Sequence, residues 1–354
     1  MDRASIYGAS VIGVSVVICA HNSAARVRPT LQALARCRAH FPVEIILVDN
    51  NSSDATAEIS EQIWLAVGNS HFAFSVVSEP QAGLIYARRK GAAVASYDIV
   101  IFCDDDNWLS EDYLVNAVRI MADGGVGAAG GCSTPTNPER LPAWFYTFSW
   151  GYAVGVPFDC IEKLPSGDVT EHHVTALWGA GMVVRRDALR FLFSLPGFPA
   201  LTGRKGLTVA SGEDLEISAC IACAGYSLLF STTLHFKHDI APERLTADYA
   251  KKLFGSFGAG FEVVGHYRTA AEALRYPCWC AVLGSIRILK HAMHWRLRHD
   301  SFLPVLAALR LSIAMNEHQR RIFDTVQRIQ KHRAERMGPT SPAKCSVVSQ
   351  PLTE

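Results

Sequence analysis

No stretch of this sequence is continuously apolar over the roughly 18 residues that a membrane-spanning helix needs, so none is expected. A basic segment followed by an apolar one is also missing at the N-terminus, and no secretory signal is expected. Cys220-Ile-Ala-Cys223 lacks a second Cys-x-x-Cys pair at zinc spacing, and Leu215–Gly225 around it reads as a helix, which argues against a metal or redox site there. The ten cysteines are scattered and several lie in apolar runs, the pattern of reduced, buried thiols in a cytosolic protein. The loop after the first apolar run has neither Gly-x-Gly-x-x-Gly nor Gly-x-x-x-x-Gly-Lys-Ser/Thr, which argues against a dinucleotide fold and a P-loop.

With 49% apolar residues over 354 positions, there is ample material for one large or two small cores. The net charge of +1 hides an asymmetry. Residues 1–274 carry 21 Lys and Arg against 28 Asp and Glu, whereas residues 275–336 carry 12 against 4. A basic segment on an acidic body points to an anionic surface as its partner, and no nucleic-acid partner is expected.

Buried strands alternate with helices along the first hundred residues. Val14–Cys19 is a strand with almost no polar face, and Ser23 is placed to cap a helix running to about His40, with Pro29 in its first turns. Glu44–Val48 is the second strand, Asp54–Val67 the next helix, Phe72–Val77 the third strand, Gly83–Ala95 a helix and Ile99–Cys103 the fourth strand. That alternation predicts an α/β, doubly wound, mostly parallel sheet. Right-handed crossovers then bring the loops at Ala20, Asp49 and Asp104 to one edge, where open α/β sheets bind ligands.

The fourth strand ends in Asp104-Asp105-Asp106-Asn107. Three adjacent carboxylates repel one another unless a cation or hydrogen-bond donors hold them, and they suit a hard divalent ion. A solvated turn capping a helix from Ser110 is the plainer alternative. Carboxylates at two strand ends with Arg88 nearby fit a nucleotide diphosphate: acid for base, ribose and metal, arginine for phosphate.

Val17-Ile-Cys-Ala-His-Asn22, Val48-Asp-Asn-Asn-Ser-Ser-Asp54, Ala87-Arg-Arg-Lys-Gly91, Phe102-Cys-Asp-Asp-Asp-Asn107, Trp178-Gly-Ala-Gly-Met182, Gly212-Glu-Asp-Leu-Glu216 and His238 follow in order. Together they resemble the family 2 glycosyltransferases of the GT-A fold, over roughly residues 12–260. The resemblance implies that Asp49 recognises the donor base, that Ala20, His21 and Asn22 line the nucleoside pocket, and that Arg88, Asp104 and Asp105 belong to the donor site. It makes Asp104 and Asp106 the acids of a DxD motif, with Asp106 the more direct ligand of Mn²⁺ or Mg²⁺. His238 is a further metal or diphosphate contact, favoured over His235. Asp214, beside Glu213, would be the catalytic base, and Trp178, Gly179, Ala180 and Gly181 the acceptor side. Arg89 stands where the family commonly has Asn, and Asn107 where a fourth acid is frequent.

The expected activity is inverting, metal-dependent transfer of a sugar, from a UDP-sugar by preference, to a glycan or lipid-linked acceptor. A catalytically silent nucleotide-sugar-binding module is the alternative. A sugar nucleotidyltransferase is a further one, although Val14–Arg26 lacks its Gly-rich basic loop. Four regions are expected: a nucleotide-sugar half (1–132), an acceptor half (133–274), a basic amphipathic helical extension (275–336) and a disordered tail (337–354). Aromatics in 133–177 suit either a lid or packing. In the extension, Trp279, Val282, Leu283, Ile286, Leu289 and Met293 recur at helical spacing, and Phe302–Ile313 repeats the pattern. Such stripes suit core or dimer packing, or a helix lying on an anionic bilayer at the inner membrane face.

Overall fold

The computed structural model describes residues 12–157, 171–201, 203, 212–275 and 317–337. Four parallel strands open the fold: β1 (Val14–Ala20), β2 (Val43–Asp49), β3 (Phe72–Ser78) and β4 (Ile99–Asp104), side by side in the order 3-2-1-4. Helices α1 (Val27–Ala35), α2 (Thr56–Val67) and α3 (Leu84–Val94) make the crossovers. Every residue of β1 is buried. Val14, Val16 and Ile18 face the layer built with α1 and α2, while Val17 and Cys19 face the layer that includes α3. This period-2 division between two apolar layers explains why β1 shows no polar face in the sequence. A fully buried Val or Ile contributes about 1.5–3 kcal/mol, so a central strand of this composition has one stable position.

The second half extends the same sheet through β5 (Asn107–Leu109), β6 (Val126–Pro135), β7 (Glu171–His173), β8 (Val183–Arg185) and β9 (Ser227–His238). The order across the sheet is β3-β2-β1-β4-β8-β6-β9-β5, with β7 also on β9. β8 runs antiparallel to β4 and β6, β5 and β7 run antiparallel to β9, and β6 and β9 are parallel. The reversed strands are thus the three short ones of three residues each, and the long strands keep one direction. β6 passes through residue 132 without a break, so both halves share one sheet.

Helices α4 (Tyr113–Met121), α5 (Phe145–Phe148), α6 (Arg186–Ser194), α7 (Glu213–Cys223), α8 (Ala247–Arg275) and α9 (Glu317–Met337) complete the described elements. Within the expected aromatic insert, Phe145 and Tyr152 are buried with Ile240 and Leu253, whereas Tyr146 and Phe148 are exposed. On α9, Ile322, Val326 and Ile329 are buried in the same core as Ile217 of α7 and Tyr267 of α8. The stripes expected at 279–293 and 302–313 lie outside the described residues, as does the tail from 338.

Two helix starts differ from expectation. α1 begins at Val27, not Ser23, because the Ser23 hydroxyl is used elsewhere: it donates to the Asp105 carboxylate. The helix ends at Ala35, short of His40. Likewise α4 begins at Tyr113, after a turn in which the Tyr113 amide donates to the Ser110 carbonyl.

Candidate active site

Sheet register brings the strand ends level. Ala20 pairs with Asp49, and Cys19 with Asp104, so the three loops emerge together. The first two are knitted to each other: Asn22 Oδ1 accepts the Ser53 amide at 2.8 Å, Ser52 Oγ accepts the Asn22 amide at 3.0 Å, and His21 Nδ1 lies 2.8 Å from the Asn50 carbonyl. Asn22 and Asn51 take left-handed backbone, with φ of 50° and 56°, a conformation Asn tolerates best after Gly. Buried Asn50 ties in the next loop, donating to the Gln81 carbonyl at 2.7 Å and accepting the Gly83 amide at 2.8 Å. Asp49 is half-buried at the rim, its Oδ1 accepting the Ser52 amide at 3.3 Å.

The three acids after β4 diverge. Asp104 is half-buried, 3.9 Å from the Arg88 guanidinium. Asp105 turns inward to Ser23 and to Arg26 at 2.7 Å, and its carbonyl accepts the Thr30 hydroxyl at 2.8 Å. Burial and the neighbouring Asp106 charge push its carboxyl up to about 6, against the pull of Arg26. Asp106 lies between His238 Nε2 at 3.5 Å and Arg244 Nη1 at 3.4 Å, and its Oδ1 accepts the Asn107 amide nitrogen at 3.0 Å. Burial opposes its ionisation, but His238 and Arg244 outweigh that and hold the carboxyl below the usual range. Like charges side by side have been separated by giving each its own partner.

Arg88 is 2% exposed and joins the halves of the molecule. One nitrogen donates to Glu213 at 3.1 Å, another faces Asp104, and the guanidinium lies 5.3 Å over the Phe102 ring. A side-chain carbon at Gly179 would come within 2.1 Å of the Arg88 guanidinium, so a larger residue there would have to displace Arg88. The Gly179 amide donates to Asp214 Oδ2 at 2.9 Å. Gly212, just before α7, has φ 112° and lets α8 approach at Gly260. Asp104, Arg88, Glu213, Gly179 and Asp214 therefore form one contiguous chain of contacts. Glu213 is buried; Asp214 is half-buried.

With this geometry in view, the sequence profile described as Glycosyl transferase family 2 matches residues 15–193, which is half of the chain. The chain belongs to glycosyl transferase family 2. Glycosyltransferase AglE of Haloferax volcanii is 25% identical over 246 residues, 68% of this chain and 70% of AglE. EpsH of Bacillus subtilis is 30% identical over 110 residues, 31% of this chain and 30% of EpsH, so the chain spans under a third of that relative. Among solved structures, the mannosyltransferase PcManGT of Pyrobaculum calidifontis, in complex with GDP-Man and Mn²⁺, aligns with a TM-score of 0.46 and 18% identity, covering 92% of this chain and 76% of that one. The α/β sheet with its flanking helices is the GT-A arrangement expected of the family.

Not every residue singled out in this family 2 chain points to the same place. Asp105 and Glu213 are turned into the protein, each held by an arginine. Arg89 leaves the site: its guanidinium donates to the Phe198 carbonyl at 2.7 Å and lies 5.7 Å from the Phe193 ring centre. His235 also lies apart, 3.2 Å from the Thr134 hydroxyl, which leaves His238 beside Asp106. Trp178 is half-buried, Ala180 and Gly181 are buried, and the Gly181 carbonyl accepts the Tyr113 hydroxyl. Cys220 and Cys223 are free thiols on α7. Sequence reasoning missed Arg26 and Arg244. The three adjacent acids were the available signal, because such a run demands cations from somewhere in the chain.

Among the described residues, no group of three or more His, Cys, Asp or Glu is arranged to hold a metal. What does exist is a pair, Asp106 and His238, with His238 Nδ1 buried and without a hydrogen-bond partner. A cation that takes one or two protein ligands and completes its shell with phosphate oxygens needs no more, so the residues fit such an ion. No helix among the described residues is long and apolar enough to cross a membrane.

Proposed function

We propose that the chain is an inverting, metal-dependent glycosyltransferase that moves a sugar from a nucleotide diphosphate sugar, UDP-linked by preference, to a hydroxyl of a glycan or lipid-linked acceptor. The observation that carries this reading is the division of labour between carboxylates. Asp106 is held ionised by His238 and Arg244, whereas Asp214, in the first turn of α7, is held by the backbone amide of Gly179 in the glycine loop.

Each residue then has a task. Asp49 and the knitted Ala20–Asn22 loop form the rim for the base and ribose. Asp104 faces the same edge from β4, while Asp105 fixes the turn by anchoring it to Ser23 and Arg26. Asp106 and His238 would hold Mn²⁺ or Mg²⁺. When bound, that ion supplies positive charge to the departing diphosphate. Asp214 takes the proton from the acceptor hydroxyl as the oxygen attacks C1. Both its oxygens accept backbone amides, from Gly179 at 2.9 Å and Leu215 at 2.9 Å, which fixes its orientation and leaves lone pairs for a substrate. General-base assistance of this kind is worth about 10²–10⁴-fold. The inverting reading is supported by Glu213: tied to Arg88, it is not an open second carboxylate, and a single base suits direct displacement. Arg88 acts here as a strut between donor and acceptor halves more than as a phosphate contact.

Calorimetric titration with a panel of UDP- and GDP-sugars in Mn²⁺ tests the donor assignment. Binding of one donor, lost in Asp106→Asn and kept in Asp214→Asn, is the expected outcome. Equal binding in wild type and Asp106→Asn would refute the role given to Asp106.

A further inference from the structure

We infer that Arg244 is a resident counter-ion of Asp106, which it must release before a divalent cation can bind, and that it then turns to the diphosphate. This rests on the reading of Asp106 as a metal ligand. Its consequence is that metal and nucleotide diphosphate bind together far better than either binds alone.

Arg244 occupies Asp106 from the side opposite His238. Its Nη1 lies 3.4 Å from Asp106 Oδ2, while His238 Nε2 lies 3.5 Å from Oδ1. Both oxygens that a metal needs therefore already face positive or donating groups. Arg244 comes from a short 3₁₀ turn, Pro242–Arg244, immediately after β9, and its guanidinium lies 6.0 Å from the Tyr152 ring and 5.7 Å from the Tyr249 ring. The Tyr152 hydroxyl donates to the Arg244 carbonyl at 3.2 Å, so the backbone is fixed while the side chain rests in an aromatic cage. The Nε of Arg244 is buried and has no acceptor among the described residues. A guanidinium offers five N–H donors in a fork suited to phosphate oxygens, and one buried donor is unused in the present pose. A diphosphate arriving with the cation supplies that acceptor as Asp106 is taken over. Coupling of this kind is reciprocal: whatever factor nucleotide adds to metal affinity, metal adds to nucleotide affinity.

The test is Mn²⁺ binding followed by the electron paramagnetic resonance of free Mn²⁺, with and without saturating UDP or GDP. Circular dichroism verifies the fold of each variant. In wild type, nucleotide is expected to tighten Mn²⁺ binding at least tenfold. Arg244→Gln is expected to bind Mn²⁺ alone at least fivefold more tightly than wild type and to lose most of the nucleotide effect. Tyr249→Leu, which opens the cage without touching Asp106, is expected to shift the same way by a smaller factor. Unchanged or weaker nucleotide-free binding in both variants, with Asp106→Asn still abolishing binding, would overturn the counter-ion role and spare the metal site. Binding that Asp106→Asn leaves intact would overturn both.

Discussion

Asn107 illustrates how one side chain decides what its neighbours can be. Its amide nitrogen donates to Asp106 at 3.0 Å, and its oxygen accepts the Asp104 amide at 3.2 Å. An acid here, frequent in the family, would place a fourth carboxylate against Asp106. Asn107→Asp is expected to lower stability at neutral pH by about 1–3 kcal/mol, measured by urea melts, because a buried donor is lost and a like charge gained. Asp105 gives a pH dependence with a definite sign. Its carboxyl binds its proton more tightly in the folded chain, near 6 against an ordinary 3.8. Its contribution therefore favours the fold at low pH and is lost as pH rises from about 4 to about 6. Asp105→Asn stays neutral throughout, so its stability relative to wild type should improve between pH 4 and pH 7, by up to about 3 kcal/mol. Thermal melts across that range check it, and a flat or declining difference would contradict it. The inward turn of Asp105 was not legible in the sequence, where the three acids look equivalent. Which one faces the protein is decided by Ser23, Thr30 and Arg26, about eighty residues earlier.

At the scale of elements, the parallel strands were legible because a strand buried on both faces has a nearly uninterrupted apolar run. The short reversed strands were not, since three residues carry too little pattern to read. β8 is found only as the filler between β4 and β6, and it brings the Gly179 loop to Arg88. Arg88 in turn links α3 to α7, and removal of one partner from such a buried pair leaves the other charge uncompensated. Arg88→Met is expected to cost about 3–5 kcal/mol, and Arg88→Met with Glu213→Leu to recover much of it. Chemical denaturation of the two variants distinguishes this from simple loss of packing, which would make the double variant worse. On α9, part of the segment that the sequence showed only as basic, three apolar residues line one face. That face is buried against α7 and α8 through Ile322, Val326 and Ile329. Ile329→Ala should lower stability by about 2–5 kcal/mol, measured by denaturant melts, while donor affinity stays within twofold.

For the molecule as a whole, one sheet carries both parts of the candidate site. Its first four strands bring their carboxyl ends level by register alone, which is why strand order along the chain was enough to expect their loops at one edge. β6, β8, β9 and α7 bring His238, Gly179 and Asp214 to it over more than a hundred residues of sequence, through crossovers that no local pattern announces. Specificity for sugar and acceptor belongs to loop shape and is the part least visible in residue types. The central claim is that Asp106 and Asp214 do different work at one site. Release of nucleoside diphosphate from the donor that binds, in Mn²⁺ and with glycan or membrane-lipid acceptors, tests it directly in wild type, Asp106→Asn and Asp214→Asn. The account predicts turnover abolished in both variants, with donor affinity lost only in Asp106→Asn. Wild-type turnover that survives Asp214→Asn would contradict it, and donor binding without turnover under any acceptor would make the chain a binding module.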